Sequence, residues 1–215
     1  MNVGVVLSGG NGSRFGSAIP KQYLKICGRE VISYSIDALK KSGVIDAVIA
    51  VAQGDYIKYL ADTYGVEAVE GGATRNGSIK KALDYAAMNY EVDKIVILEA
   101  ARPMVTSRYV SDYINLLDQY DTVITAQKIV DSIGSYHTHC LDRNDYYLIQ
   151  APEAFKFPMF YDNFKADSSL TATNQQMPLG YKLYINFDFN NNIKITYQPD
   201  LKYCEALLTE RNDEI

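Results

Sequence analysis

The sequence predicts an α/β fold, a mostly parallel sheet covered by helices, from three observations. Short, nearly continuous apolar runs recur along the chain, as strands buried on both faces do. Amphipathic segments at helical spacing lie between them with short joints, which implies right-handed βαβ crossovers. The first apolar run stops at a glycine cluster, Gly9, Gly10 and Gly12, and the carboxyl ends of strands are where open α/β sheets bind ligands.

Residues 3–7 (VGVVL) form the first strand. In residues 31–42, Ile32, Ile36 and Leu39 recur at helical spacing with small Ser35 on the same face, and Lys40-Lys41-Ser42-Gly43 is a basic end with a C-terminal glycine. Residues 47–51 (AVIAV) are a strand, 56–64 a helix and 66–69 a short strand. Residues 76–90 are a helix, 94–98 (KIVIL) a strand, 107–117 a helix and 122–126 a strand. There the alternation breaks. Two β-like pieces, IVDSIGSY and YYLI, flank a polar turn and predict a β-hairpin arm at about residues 128–150, standing off the main sheet. Such an arm buries little by itself, so a second subunit is the expected cover. The tail predicts a helix at 158–166, strands around 181–185 and 193–196, and a closing helix at 200–208 that starts at Pro199-Asp200. Residues 167–178 are polar and expected to be loose. With no internal repeat or low-complexity linker, one domain over residues 1–215 is expected.

Composition narrows the partners. A chain of 215 residues with 47% hydrophobic content can bury a core without staples. Its net charge of -5 leaves no global basic field for nucleic acid, while a local cationic pocket for a small anion stays compatible. No apolar run reaches the roughly 18 residues of a membrane span. Cys27, Cys140 and Cys204 are odd in number and widely spaced, which argues against a disulfide framework and for a reducing, cytoplasmic location. His137-x-His139-Cys140 lacks a fourth ligand and predicts no protein-held metal. The Tyr146-Tyr147 pair reads as arm packing rather than a base-stacking platform.

The strongest chemical signal is Leu7-Ser-Gly-Gly-Asn-Gly-Ser-Arg14-Phe-Gly16, followed by Pro20-Lys21-Gln22. Glycines let backbone N–H groups approach phosphate oxygens, and Arg14 and Lys21 neutralise the charge held there. The bland alternative is a glycine-rich turn with exposed basic residues. A dinucleotide fingerprint is one residue away in Gly10-x-Gly12-x-x-x-Gly16, yet no acidic residue closes a second strand about 20 residues on. A P-loop fails because Gly72-x-x-x-x-Gly77-Ser78 lacks the lysine.

That loop, together with Glu70-Gly71-Gly72-x-x-Arg75-x-x-Ser78, Ala100-Ala101-Arg102-Pro103, Asn192-Ile193-Lys194-Ile195-Thr196 and Pro199-Asp200-Leu201, resembles the cytidylyltransferases that activate polyol phosphates. Members make 4-diphosphocytidyl-2-C-methyl-D-erythritol, CDP-ribitol or CDP-glycerol. The similarity runs in order along nearly the whole chain. It implies a Rossmann-like nucleotidyltransferase fold and transfer of CMP from CTP to a polyol phosphate, with release of pyrophosphate. By the same resemblance CTP lies over Ser8, Gly9, Gly10, Asn11, Gly12 and Ser13, with Gly72, Arg75, Ser78, Glu99 and Ala100 completing the nucleotide site. Arg14, Lys21 and Lys194 are the implied catalytic cations, with Mg²⁺ bridging phosphate oxygens. Arg102, Asp131, Ser132 and Arg143 are the implied acceptor-binding residues, and the arm joins a homodimer. Lys194 in the NIKIT segment also has a plainer reading, as an edge-strand gatekeeper.

Departures from the methylerythritol pattern cluster on the acceptor side. The usual His-Asp is Leu98-Glu99, and the usual arm Asp-Thr is Asp131-Ser132. The Thr before Pro-Gln is Ala151 in Gln150-Ala151-Pro152-Glu153, and the Thr-Asp segment reads Thr171-Ala172-Thr173-Asn174, without the acid. The nucleotide side is intact, so the expectation favours another polyol or related phosphate over methylerythritol phosphate. Two rivals stay open: a nucleotide-binding protein that has lost turnover, and a nicotinamide-dependent oxidoreductase.

Overall fold

The structure is a computed structural model and describes residues 1–10 and 15–213. Its elements run β1 (Asn2–Leu7), β2 (Lys25–Ile26), β3 (Arg29–Glu30), α1 (Val31–Lys40), β4 (Ala47–Ala52), α2 (Tyr56–Tyr64), β5 (Glu67–Glu70), α3 (Arg75–Asn89) and β6 (Lys94–Glu99). They continue with α4 (Ser107–Leu116), β7 (Thr122–Lys128), β8 (Tyr147–Lys156), α5 (Phe157–Asn163), β9 (Leu183–Asn186) and α6 (Gln198–Asp213). Seven strands make one sheet in the order β5-β4-β1-β6-β8-β7-β9. Strands β1, β4, β5 and β6 are mutually parallel, β8 runs antiparallel to both β6 and β7, and β9 is parallel to β7.

Each apolar run is buried on both faces because its residues feed two different cores. Val6, Ala50, Val96 and Leu98 face Ile32, Ile36 and Leu39 of α1 and Val110 and Ile114 of α4. Their neighbours Val5, Ile49, Val51, Ile95 and Ile97 face Ile79, Leu83 and Ala86 of α3 and Phe160 of α5. This is the period-two alternation of a strand with helices on both sides. At Gly4 a Cβ would lie 2.6 Å from Cδ2 of Leu39, so the glycine lets α1 settle onto β1.

Several expectations change. The β2–β3 hairpin was not expected: Cys27 (φ 47°) and Gly28 (φ 75°) form its two-residue left-handed turn. The arm region builds no hairpin from the two expected pieces. IVDSIGSY carries no strand, and YYLI opens β8, which pairs in the main sheet with Lys128 opposite Tyr147. The hairpin is β7–β8 itself, joined by an exposed connection whose regular part is a 3₁₀ turn at Arg143–Asp145. Residues 193–196 form no strand, although Ile195 N–H donates to the Ala101 carbonyl at 2.8 Å. Residues 167–178 are firmer than expected, with a 3₁₀ turn at Thr173–Gln176 and with Thr173 and Asn174 buried. Among the described residues no helix is long and apolar enough to cross a membrane.

Candidate active site

The carboxyl ends of β1, β4 and β6 open into a cleft of about 390 Å³, within the range of small-molecule sites. Ser8 turns the chain out of β1, with its N–H and its Oγ both donating to the Val51 carbonyl, at 2.8 and 2.7 Å. Buried Gln22 then pins the glycine loop: its Nε2 donates to the carbonyls of Ser8 at 2.5 Å and Gly10 at 3.0 Å. Among the described residues a Cβ on Gly10 would meet nothing within 4 Å, so packing among them does not demand glycine there. Gly72 is different. Its Cβ would lie 2.6 Å from the Gly77 carbonyl carbon, and its N–H donates to Ser78 Oγ at 3.0 Å. The loop after β5 is thereby pressed onto the start of α3, where Thr74 caps the helix by accepting from Gly77 N–H at 2.9 Å.

Glu99, at the end of β6, is the electrostatic centre. Its carboxylate contacts Lys194 Nζ at 2.8 Å, Arg102 Nε at 3.1 Å and Arg75 Nε at 3.4 Å. Burial pushes its pKa up, but Lys194, Arg102 and Arg75 together outweigh burial and hold it at about 2. The carboxylate is therefore ionised throughout the neutral range. Arg102 is buried beneath it, donating a second bond to the Asn192 carbonyl at 2.7 Å. That bond ties the segment carrying Lys194 to the end of β6.

One cleft thus gathers Ser8, Gly9, Gly10, Lys21, Gly72, Arg75, Ser78, Glu99, Ala100 and Lys194, drawn from distant parts of the sequence. Asn11, Gly12, Ser13 and Arg14 lie outside the described residues. Arg102 supports the cleft without lining it. Asp131, Ser132 and Arg143 are exposed on the β7–β8 connection and do not line the cleft, and Arg143 Nη1 donates to the Val130 carbonyl. Three residues in or beside the site were given no role by the sequence: Gln22, quoted only within the Pro20-Lys21-Gln22 run, Gln53 beside Gly9, and Glu153 behind Arg75. The spacing from the glycine loop to Gln22 was visible; the burial of Glu153 was not.

Among the described residues no group of three His, Cys, Asp or Glu could cage a metal. Glu99 is the one carboxylate lining the described part of this cleft. That donor set fits Mg²⁺ held chiefly by a nucleotide's own phosphates, which needs one or two carboxylates and no protein cage.

Comparison with known proteins agrees with this geometry. Residues 3–210 match the family described as IspD: 2-C-methyl-D-erythritol 4-phosphate cytidylyltransferase. The chain is 27% identical to the 2-C-methyl-D-erythritol 4-phosphate cytidylyltransferase of Thermosipho melanesiensis, over 94% of this chain and 95% of that one. It is also 27% identical to the ribitol-5-phosphate cytidylyltransferase of Lacticaseibacillus paracasei, over 98% and 99%. The fold matches the crystal structure of 4-diphosphocytidyl-2C-methyl-D-erythritol synthase from Anaerococcus prevotii with a TM-score of 0.80 at 24% identity, covering 97% and 98% of the two chains. With its glycine loop, its Glu99-centred cations and this match over nearly its whole length, the chain belongs to the IspD family of cytidylyltransferases.

Proposed function

We propose that this cytidylyltransferase transfers CMP from CTP to a polyol phosphate of the ribitol type in the cleft between Ser8 and Lys194. The observation that carries the reading is the convergence of Lys21, Arg75 and Lys194 around Gly10 at the strand ends. The nucleotide lies over the glycine loop, with Gly72, Ser78 and Ala100 at its base and ribose. A phosphate oxygen of the acceptor forms a bond to the α-phosphorus in line, and the bond to pyrophosphate breaks. The attacking oxygen is already anionic, so the reaction needs charge neutralisation and alignment more than a general base. Lys21 and Arg14 neutralise the triphosphate and the leaving pyrophosphate, and Lys194 sits at the α-phosphate. Ionised Glu99 is the side chain that would hold Mg²⁺, which when bound would supply charge neutralisation at the phosphates.

The acceptor choice rests on the changes at Ala151, Ser132 and residues 171–174, and on a ribitol-5-phosphate cytidylyltransferase among the relatives matched end to end. Asp131, Ser132 and Arg143 lie on a connection that does not reach its own cleft, which supports a homodimer in which each arm serves the neighbouring site. The chain works as one domain with its arm at about 128–150. Cys27, Cys140 and Cys204 are all unpaired, which suits a reducing cytoplasm. The test is pyrophosphate release from CTP that depends on added polyol phosphate. Lys21→Ala and Lys194→Ala should each lower kcat/KM by about 10²-fold, the scale of a transition-state charge partner; a loss under about threefold in both would place the site elsewhere.

A further inference from the structure

Glu153, in β8, is 2% exposed, and no other Asp or Glu among the described residues is buried. An ionised carboxylate in such a place persists only when it is paired and hydrogen-bonded, and burial pushes its pKa up. Its Oε1 accepts from Thr173 Oγ1 at 2.7 Å and from Arg75 Nη2 at 3.3 Å, and its Oε2 accepts from the Asn174 N–H at 3.3 Å. Arg75 in turn donates through Nη1 to Thr173 Oγ1 at 2.9 Å and to the Thr171 carbonyl at 3.4 Å, and through Nε to Glu99 Oε1 at 3.4 Å. All three guanidinium nitrogens are engaged. The plane of Arg75 is fixed from two sides, by Glu99 at the cleft and by Glu153 behind it.

Position 153 calls for an acceptor on both oxygens, since a glutamine of the same size could accept the Thr173 hydroxyl through its oxygen only by turning its amide NH2 toward the Asn174 N–H. The charge matters to Arg75. With Glu153 present, Arg75 has its own counter-ion, and Glu99 remains available to Lys194 and Arg102. Without it, Arg75 would draw on Glu99, the group that Lys194 contacts at 2.8 Å. Arg75 keeps 33% of its side chain exposed and lines the cleft. It does so on the α3 side, sharing a wall with residues 171–174.

We propose that Glu153 is a positioning residue for the transfer reaction. It locks Arg75 and the 171–174 segment into one wall of the cleft, so that Arg75, which the resemblance assigned to the nucleotide, instead meets the acceptor phosphate from that wall as a preorganised cation. The proposal rests on the cytidylyl-transfer reading given above.

The test compares wild type with Glu153→Gln, Thr173→Val and the double variant. Each single change should lower kcat/KM for the responding polyol phosphate by about tenfold, the effect of losing one charge-assisted hydrogen bond, while the KM for CTP moves less than about twofold. The double variant should be little worse than the poorer single one, because both changes act through one arrangement. Turnover is measured well below the melting temperature of each variant, which separates positioning from unfolding. Independently of turnover, the ¹⁵N signal of the Arg75 Nε–H, assigned by its loss in Arg75→Lys, should be sharp and slowly exchanging in the ligand-free wild type and broad or fast-exchanging in Glu153→Gln. An unchanged Arg75 signal would overturn the proposal. So would acceptor kcat/KM within about twofold in both single variants, or losses shared equally by CTP and acceptor. If no polyol phosphate is turned over by the wild type, the reading of the acceptor fails, and the Arg75 signal still decides whether Glu153 positions it.

Discussion

Glu99 and the two glycines on either side of the cleft carry different kinds of necessity. At Gly72 a methyl group would collide with the backbone of Gly77 at 2.6 Å, so Gly72→Ala should destabilise the fold by about 2 kcal/mol or more, read from denaturant midpoints. Gly10 has nothing among the described residues within 4 Å of its Cβ position. Gly10→Ala should therefore leave stability within about 0.5 kcal/mol and raise the KM for CTP, because only the ligand needs the space. For Glu99 the folded pKa of about 2 lies below the ordinary 4.5. Its stabilisation is complete above the unfolded value and is lost as pH falls from there through about 2, on the order of 3 kcal/mol across that window. Glu153 has the opposite sign: its raised pKa makes the folded state the tighter proton binder, so its effect lies above 4.5 and lowers stability as pH rises. Denaturant midpoints followed from about pH 5 to about pH 2 should show a steep loss in wild type and a shallower one in Glu99→Gln. The resemblance to polyol-phosphate cytidylyltransferases, carried by the motifs at 70–78, 100–103 and 192–196, marked Glu99, Lys194 and Arg75 as candidates. It did not show Gln22 or Glu153, whose roles lie in contacts made by the folded chain.

Between residues and fold, the segment at 192–196 shows how Lys194 is placed without a strand. The run NIKIT alternates as a strand does, yet it is held by separate ties: Asn192 Nδ2 to the Ala151 carbonyl at 2.7 Å, the Asn192 carbonyl to Arg102, and Ile195 N–H to Ala101. Local alternation cannot distinguish a ladder from such ties, because the partners lie about β6 and β8. Asn192→Ala should cost about 1–2 kcal/mol of stability and reduce kcat/KM through a displaced Lys194, and melting curves and turnover measured on the same sample check both. The alternating helices and strands from β1 through β7 were legible because their apolar periods are long and regular. The β2–β3 hairpin escaped because two-residue strands carry too little pattern, although a left-handed turn ending in Gly28 is its signal. In the arm, IVDSIGSY has the pattern of a strand but pairs with no strand among the described residues.

At the scale of the molecule, the order β5-β4-β1-β6 sets the carboxyl ends of four parallel strands side by side; the connection after β1 supplies the glycine loop, that after β5 supplies Gly72 with Arg75, and the end of β6 with the residues after it supplies Glu99 with Arg102. The cleft is thus a consequence of the crossover pattern. The arm is different, since Asp131, Ser132 and Arg143, proposed above to hold the acceptor, do not line the cleft of their own chain. If arms act across a dimer, mixing inactive Lys194→Ala and Arg143→Ala subunits should restore about a quarter of the wild-type rate, because half the dimers are mixed and one of their two sites is whole. Arms acting within their own chain would restore nothing. The most direct measurement is pyrophosphate release from CTP and Mg²⁺ against methylerythritol, ribitol, xylitol, erythritol and glycerol phosphates. The account predicts one clear responder of the ribitol type, with methylerythritol phosphate slower by about tenfold or more, the scale of a lost hydrogen bond at Ala151. Methylerythritol phosphate as the best acceptor would contradict the substrate reading, and silence across the panel with CTP bound would contradict cytidylyl transfer to a polyol phosphate.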